Sequence, residues 1–316
     1  MQLRYNGPTL TLVVNPAAGK GRAKRLLPSV TGELLTGLPD ASLRVFQTST
    51  FAEARLRCIT AVEQARPGVP GRMGDSLLVM GGDGMMNLGL NACAGTDVPL
   101  GVIPAGSGND FCRGVGVPVT APAAVRTIVE AHISRIDLMS TSGRLAGGAE
   151  HRWVGSIVST GFDGRVNRRA NRMPWTLGGL NYAYAALAEL ARFEPVSYRL
   201  RIDGLARHQT AMFICVGNAG YFGGGMHGCP DADVTDGLLD ITVVNPVSRM
   251  TLLRLLPTMY SGAFVHDPAV ELLRGREVIV DGDDLYAMAD GEQLGDVPVT
   301  CAAVRDALAL YTPEPR

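Results

Sequence analysis

The stretch that decides the fold is Ser76-Leu77-Leu78-Val79-Met80-Gly81-Gly82-Asp83-Gly84-Met85-Met86-Asn87. An apolar run suited to a buried strand enters a tight glycine turn, and the turn enters a helix-like segment that continues to residue 92. Strand, sharp turn and helix start in that order gather backbone N–H groups and the positive end of a helix at the strand's carboxyl end. Such a place suits an anion such as phosphate. The glycines let backbone approach a ligand closely, while Asp83 can turn the chain, accept a hydrogen bond or help hold a cation. The common phosphate loop Gly-x-x-x-x-Gly-Lys-Ser/Thr is absent, because the only Gly-Lys pair, Gly19-Lys20, is followed by Gly21.

On either side of this turn, the first ~135 residues alternate strand and helix patterns. Strands are expected at 9–14, 43–48, 76–80 and 100–103, and helices at 22–35, 52–64, 85–92 and 121–131. Strands separated by helices predict right-handed crossovers and a parallel sheet. In such sheets ligands gather beyond the strand carboxyl ends. Asn15-Pro16-Ala17-Ala18-Gly19, Thr48, the 81–84 turn and the 104–110 segment each follow a strand directly, so four loops are expected along one edge. After about residue 137 the pattern changes. Strands are expected at 153–159, 196–202, 209–216, 238–244, 278–280, 285–289 and 297–301, with Gly, Asp and Pro in the turns and helices at 177–193 and 248–262. The fold class is therefore α/β: a Rossmann-like parallel-sheet domain over 1–137, then a mostly antiparallel β domain over 138–302.

Composition bounds the function. With 316 residues, 46% hydrophobic and 19% charged, the chain reads as a globular enzyme able to bury two cores. Its net charge of −1 supplies no global field to recruit nucleic acid or anionic lipid. No apolar run approaches the ~18 residues that span a bilayer. Six cysteines (58, 93, 112, 215, 229, 301) lack Cys-x-x-Cys spacing and read as buried thiols of a reducing compartment. The amino-terminal residues lack the apolar core of a signal peptide, so a cytoplasmic protein is expected.

Several constellations can carry chemistry, and each has an ordinary structural alternative. Pro104-Ala105-Gly106-Ser107-Gly108-Asn109-Asp110-Phe111 could bind nucleotide phosphates or sugar, or merely cap the next helix. Asp231-Ala232-Asp233-Val234-Thr235-Asp236-Gly237-Leu238-Leu239-Asp240 sets four carboxylates before a strand; Asp233 and Asp236 could chelate a hard cation or lie in a solvated turn. Ala289-Asp290-Gly291-Glu292 places a carboxylate on a sharp turn, apt for a general base, although Asp-Gly is also the commonest hairpin signal. Gly223-Gly224-Gly225-Met226-His227-Gly228 matches Gly-x-Gly-x-x-Gly formally, but no helix pattern follows it. Arg165, Arg168, Arg169 and Arg172 with Trp175 form a basic-aromatic patch that could rest on lipid headgroups or be a solvated loop.

In this order the motifs resemble the diacylglycerol kinase catalytic domain superfamily, in its soluble bacterial lipid kinase branch related to sphingosine and ceramide kinases. The resemblance rests on Asn15-Pro16-x-x-Gly19, Gly-Gly-Asp-Gly with Asn87, Ile103-Pro-x-Gly-x-x-Asn-Asp-Phe111, Asp-x-x-Asp-Gly-x-Leu and the late Asp-Gly-Glu, and covers nearly the whole chain. It implies a nucleotide domain and a β-sandwich, with residues 303–316 returning to the first domain. It implies that ATP gives its γ-phosphate to a lipid hydroxyl, with diacylglycerol the default acceptor. By position, Gly81, Gly82, Asp83, Gly84, Met85, Met86 and Asn87 would hold ATP phosphates, joined by Asn15, Thr48 and Ser107. Asp290 would be the general base. Asp233, Asp236 and the Leu238 carbonyl would bind magnesium (Mg2+), with a second ion travelling with ATP. Lipid access implies transient peripheral membrane contact, for which the 165–175 patch is the candidate; oligomeric state is unreadable, and a homodimer is left open. Nucleic acid is not an expected partner.

One departure stands out. The family usually has Thr after Gly-Gly-Asp-Gly, where this chain has Met85, which cannot donate a hydroxyl hydrogen bond. That leaves a catalytically idle lipid- or nucleotide-binding protein on the same fold as one rival. An NAD kinase is the other, disfavoured because the chain lacks the Asn-Glu pair its chemistry uses.

Overall fold

The computed structural model describes residues 7–69, 72–161, 194–283 and 285–314. The helix expected at 177–193 and the basic-aromatic patch at 165–175 lie outside the described residues. The chain forms two compact units: Met1–Leu138 with Arg305–Arg316, and Met139–Val304.

In the first unit the chain runs β1 (Thr9–Val14), α1 (Ala18–Gly37), β2 (Ser42–Gln47), α2 (Phe51–Glu63), β3 (Ser76–Gly81), α3 (Asp83–Cys93), β4 (Leu100–Pro104), α4 (Asp110–Gly114) and α5 (Ala121–Glu130). The sheet is parallel in the order β2-β1-β3-β4. Every residue of β3 and β4 is buried, as expected of parallel strands covered on both faces. Leu12, Val14, Leu78 and Met80 pack with Leu27, Val30 and Leu34 of α1 and with Val125 and Ile128 of α5. Because β2 lies on one side of β1 and β3 on the other, the loops that leave β1 and β3 diverge. That is a topological switch point, where an open α/β sheet offers a crevice to ligands. In α1, residues 19–21 are left-handed and regular helix begins at Arg22.

The second unit is antiparallel. It contains β6 (His151–Val154), β7 (Ile157–Gly161), β8 (Val196–Ile202), β9 (Leu205–Ala211), β10 (Phe213–Gly217), the short pair β11 (Tyr221–Phe222) and β12 (Met226–His227), β13 (Leu239–Val244), α6 (Arg249–Thr258), β14 (Val270–Gly275), β15 (Glu277–Gly282) and β16 (Tyr286–Ala289). Strands β5 (Ile133–Leu145) and β17 (Glu292–Tyr311) begin in one unit and end in the other. One layer runs β14-β13-β10-β7-β16-β17, and a second runs β9-β8-β15-β17. Between them Ile214, Val216 and Ile241 meet Tyr198, Leu200 and Val280. Alternate residues Phe213 and Cys215 face the other way, onto Leu252, Leu255 and Met259 of α6 and the turn after it. This is a β-sandwich with one outer face covered by a helix.

Several element boundaries differ from the sequence expectation. The strand expected at 153–159 is two strands, broken where the Ser156 carbonyl accepts the Asn218 and Ala219 N–H groups at 2.9 and 3.3 Å. The run 209–216 divides at Met212, whose N–H turns to the Val244 carbonyl at 2.7 Å. The run 297–301 is the middle of β17, twenty residues long. Strands β5 and β14 escaped notice because polarity does not follow burial in them: Asp137 and Thr141 are buried in β5, and Leu272 is exposed in β14. The helix expected over 248–262 ends at Thr258 and tightens into a 3₁₀ turn over Met259–Ser261. All six cysteines are buried thiols, and burial pushes Cys58, Cys229 and Cys301 up to about 12. Among the described residues no helix is long and apolar enough to cross a membrane.

Near the carboxyl terminus, Leu310 pairs in parallel with Leu100, and the buried Tyr311 hydroxyl lies 2.9 Å from the Ser76 hydroxyl. Tyr311→Phe leaves that serine without its partner, so it should cost about 1–3 kcal/mol in a urea titration. An unchanged unfolding midpoint would show that the tail does not brace this sheet.

Candidate active site

The site in the first unit is assembled at the carboxyl ends of β1, β2, β3 and β4. Gly82 caps α3, and the first turn of that helix closes on it: Met85 N–H and Met86 N–H donate to the Gly82 carbonyl at 2.9 and 3.2 Å. The N–H groups of Gly82, Asp83 and Gly84 find no acceptor among the described residues. Three half-buried donors therefore stand at the positive end of α3, an arrangement made for an anion. This narrows the sequence reading, because Met85 and Met86 spend their N–H groups inside the helix. Their side chains are buried too: Met85 lies against Gly81, and the Met86 sulfur is 3.7 Å from Cys112 Sγ. Asn87 is buried one turn further on, and its carbonyl accepts from Asn91 Nδ2 at 3.0 Å.

Asp83 holds the neighbouring loop. Its carboxylate accepts the Asn109 N–H at 3.1 Å and the Asp110 N–H at 2.9 Å. Ala105 N–H and Gly106 N–H donate to the Gly81 carbonyl at 2.7 and 3.0 Å. The two loops touch so closely that a Cβ on Gly106 would stand 2.5 Å from Gly82 Cα. Only glycine fits there. Asn109 is left-handed and buried; its Nδ2 donates to the Gly106 carbonyl at 3.3 Å, and its Oδ1 has no donor. Ser107 is exposed on the outer part of the same loop.

The first loop joins them through a residue that the sequence reading missed. Arg22, at the start of regular helix in α1, donates from its guanidinium to the carbonyls of Ala105 and Gly106. The only sequence signal was a basic residue directly after Gly19-Lys20-Gly21. Asn15 Oδ1 accepts the Ala17 N–H at 3.0 Å, shaping the turn that leaves β1. The buried Thr48 hydroxyl donates to the Val14 carbonyl at 3.1 Å, which ties the end of β2 to β1.

In the second unit, Asp290 and Gly291 are the two residues between β16 and β17, at φ +51° and +81°. Left-handed values at both positions mark the tight hairpin in which glycine is favoured second. Asp290 is half-buried, and Glu292 pairs with Arg152 at 3.2 Å. Elsewhere in this unit, Asp233 Oδ1 accepts the Thr235 N–H and hydroxyl at 2.9 and 2.7 Å, and Asp236 Oδ1 accepts the Leu238 N–H at 2.9 Å. Arg274 lies 3.8 Å from Asp236 Oδ2, and its Nε donates to Asp240 Oδ1 at 2.8 Å. Burial pushes the Asp240 carboxyl up against the pull of Arg274, and its Oδ2 is buried without a donor. A turn rich in carboxylates, with one guanidinium beside it and an orphaned oxygen, has the all-oxygen chemistry that suits a hard cation. Among the described residues no three acidic, His or Cys side chains cluster as a metal site, so a cation here would depend on two carboxylates, main-chain carbonyl and water.

Comparison with known proteins follows this geometry. Residues 9–141 match the diacylglycerol kinase catalytic domain, and residues 156–312 match the YegS C-terminal NAD kinase beta sandwich-like domain. A diacylglycerol kinase of Mycobacterium tuberculosis (strain ATCC 25618 / H37Rv) is 42% identical over 243 residues, 76% of this chain and 77% of that protein. A diacylglycerol kinase of Staphylococcus saprophyticus is 25% identical over 311 residues, 96% of this chain and 94% of its own. The crystal structure of a diacylglycerol kinase from Bacillus anthracis str. Sterne superposes with a TM-score of 0.72 at 19% identity, covering 98% of this chain and 99% of that one.

The close approach of the two glycine loops gives a direct test. Gly106→Ala forces one loop away from the other, and ATP affinity measured by calorimetry should fall by roughly tenfold or more. Unchanged affinity would show that the loop contact does not shape the anion site.

Proposed function

Because the chain belongs to the diacylglycerol kinase family and is a lipid kinase, we propose that it transfers the γ-phosphate of ATP to the free hydroxyl of diacylglycerol, forming phosphatidic acid. The observation that carries the proposal is the set of three unpartnered N–H groups at 82–84, fixed to the next loop through Asp83. The name shared by the relatives supports the choice of acceptor.

In this reading the Gly82, Asp83 and Gly84 amides receive phosphate oxygens of ATP, with Asn15, Thr48, Asn87 and Ser107 around them. Met85 and Met86 contribute packing rather than hydrogen bonds, so the missing hydroxyl at Met85 removes one donor and leaves the amide set intact. The side chain of Asp83 serves the loop, not the ligand. Asp290 accepts the proton of the attacking lipid hydroxyl, a role worth on the order of 10²–10⁴-fold in rate. Its hairpin fixes the backbone from which that carboxylate projects. Asp233, Asp236 and the Leu238 carbonyl would hold magnesium, which would supply positive charge to an acidic turn and order it. Phosphoryl transfer asks mainly for positioning and charge neutralisation, and these residues are of the types that supply both.

Incubation with γ-labelled ATP, magnesium and a panel of diacylglycerol, ceramide and sphingoid base tests the proposal. Label should appear in phosphatidic acid. Asp290→Asn should lose about a hundredfold or more in turnover while ATP still binds. Label in a different lipid would overturn the acceptor, near-normal turnover of Asp290→Asn would overturn the base, and tight binding without any product would return the idle rival.

A further inference from the structure

Helix α6 has an apolar residue on nearly every side, yet only one side is buried. Leu252, Leu255 and, just beyond the helix, Met259 face the sandwich. Met250, Leu253 and Tyr260 face outward at 74%, 39% and 58% exposure, with exposed Pro257 among them. The spacing 250, 253, 257, 260 is one helical face carried into the following turn. The inward row is covered by the sandwich, whereas the outward row is a second apolar stripe with no covering element among the described residues. Scattered exposed leucines need no explanation; a continuous row on one face does.

The charges beside the row say what that partner is. From residue 246 to 266 the sequence holds Arg249, Arg254 and His266 and no Asp or Glu. Arg249 is exposed and makes no ion pair among the described residues. Arg254 keeps 72% of its side chain exposed while donating to Asp267 at 3.1 Å. An apolar stripe that begins beside the exposed Arg249 and carries the mostly exposed Arg254 matches an anionic bilayer, whose headgroups attract the cations while Met, Leu and Tyr enter the interface.

We propose that the outward face of α6 and the turn after it is the surface by which this protein docks on anionic membranes. The proposal rests on the lipid kinase reading, since an acceptor confined to a bilayer requires the protein to come to it. It adds a defined surface, in the second unit, to the expected peripheral contact. Because the net charge of the chain is only −1, attraction to the membrane is local to this face.

The test is co-sedimentation of the full chain with vesicles of phosphatidylcholine alone or mixed with phosphatidylglycerol. The wild-type protein should partition onto the mixed vesicles. Arg249→Glu should weaken that partitioning by at least about fivefold, the change expected for one cation near the surface, and Met250→Asp with Leu253→Asp should weaken it further. All these side chains are exposed, and an unchanged melting temperature confirms that the variants fold. A second readout, Met250→Trp, should show a blue-shifted emission on the mixed vesicles only. Phosphorylation of a dispersed short-chain acceptor should be unchanged in the charge and aspartate variants. Undiminished vesicle partitioning by these variants overturns the proposal, as does equal binding to neutral vesicles. Substitutions that alter a dimer mass without altering vesicle binding assign the face to a second copy and also overturn it. Loss of vesicle binding in a protein that shows no lipid kinase activity supports the docking surface while refuting the kinase reading.

Discussion

One carboxylate holds the amino-terminal site in shape. Asp83 takes the N–H groups of Asn109 and Asp110, which pins the loop leaving β4 to the turn leaving β3. The Gly81 carbonyl adds two more bonds from Ala105 and Gly106, and the Gly82–Gly106 approach leaves no room for a side chain. A charged acceptor gives hydrogen bonds about twice as strong as neutral ones, so this pair of amides is well suited to fixing a strained loop. With the loop so held, Asn109 stays in its left-handed conformation and the amides of 82–84 remain unclaimed. Arg22 extends the same tie to the loop after β1. Three loops satisfy one another, and the donors left over stand together at the start of α3.

The second unit solves a different problem. Its sandwich buries an apolar interior while its turns carry the carboxylates, each on a constrained backbone: Asp290 in a two-residue hairpin, and Asp233 and Asp236 in turns closed by their own side chains. In the proposed reading, donor handling and acid–base chemistry would be built on different kinds of scaffold. Amides at a helix start need no charge of their own to receive phosphate, whereas a base must be a titratable group rigidly presented.

Both sheets are legible in the sequence where burial is uniform or strictly alternating. The unbroken apolar run at 76–80 and the Asp290-Gly291 turn read correctly because their signals are local. The long strands β5 and β17 do not, since buried Asp137 and Thr141 interrupt the apolar pattern of the first, Gly295, Pro298, Arg305 and Asp306 divide the second, and their pairing partners are remote. The work done by Asp83 was equally hidden. A carboxylate among glycines can turn the chain, accept a hydrogen bond or help hold a cation, and only the fold shows which, by bringing it amides from 26 and 27 residues away. Arg22 reaches carbonyls 83 and 84 residues on, a relation no spacing pattern encodes. The outward row on α6 was invisible for another reason: an apolar helix in a sequence looks like a core helix until its exposure is known.

The most direct measurement of the central claim is the response of individual amide resonances to ATP. Large shifts are expected at the N–H groups of Gly82, Asp83 and Gly84, and only small ones at Met85 and Met86, whose N–H groups are already bonded to Gly82. Silence at 82–84 while ATP binds, or the largest shifts at Met85 and Met86, would contradict it.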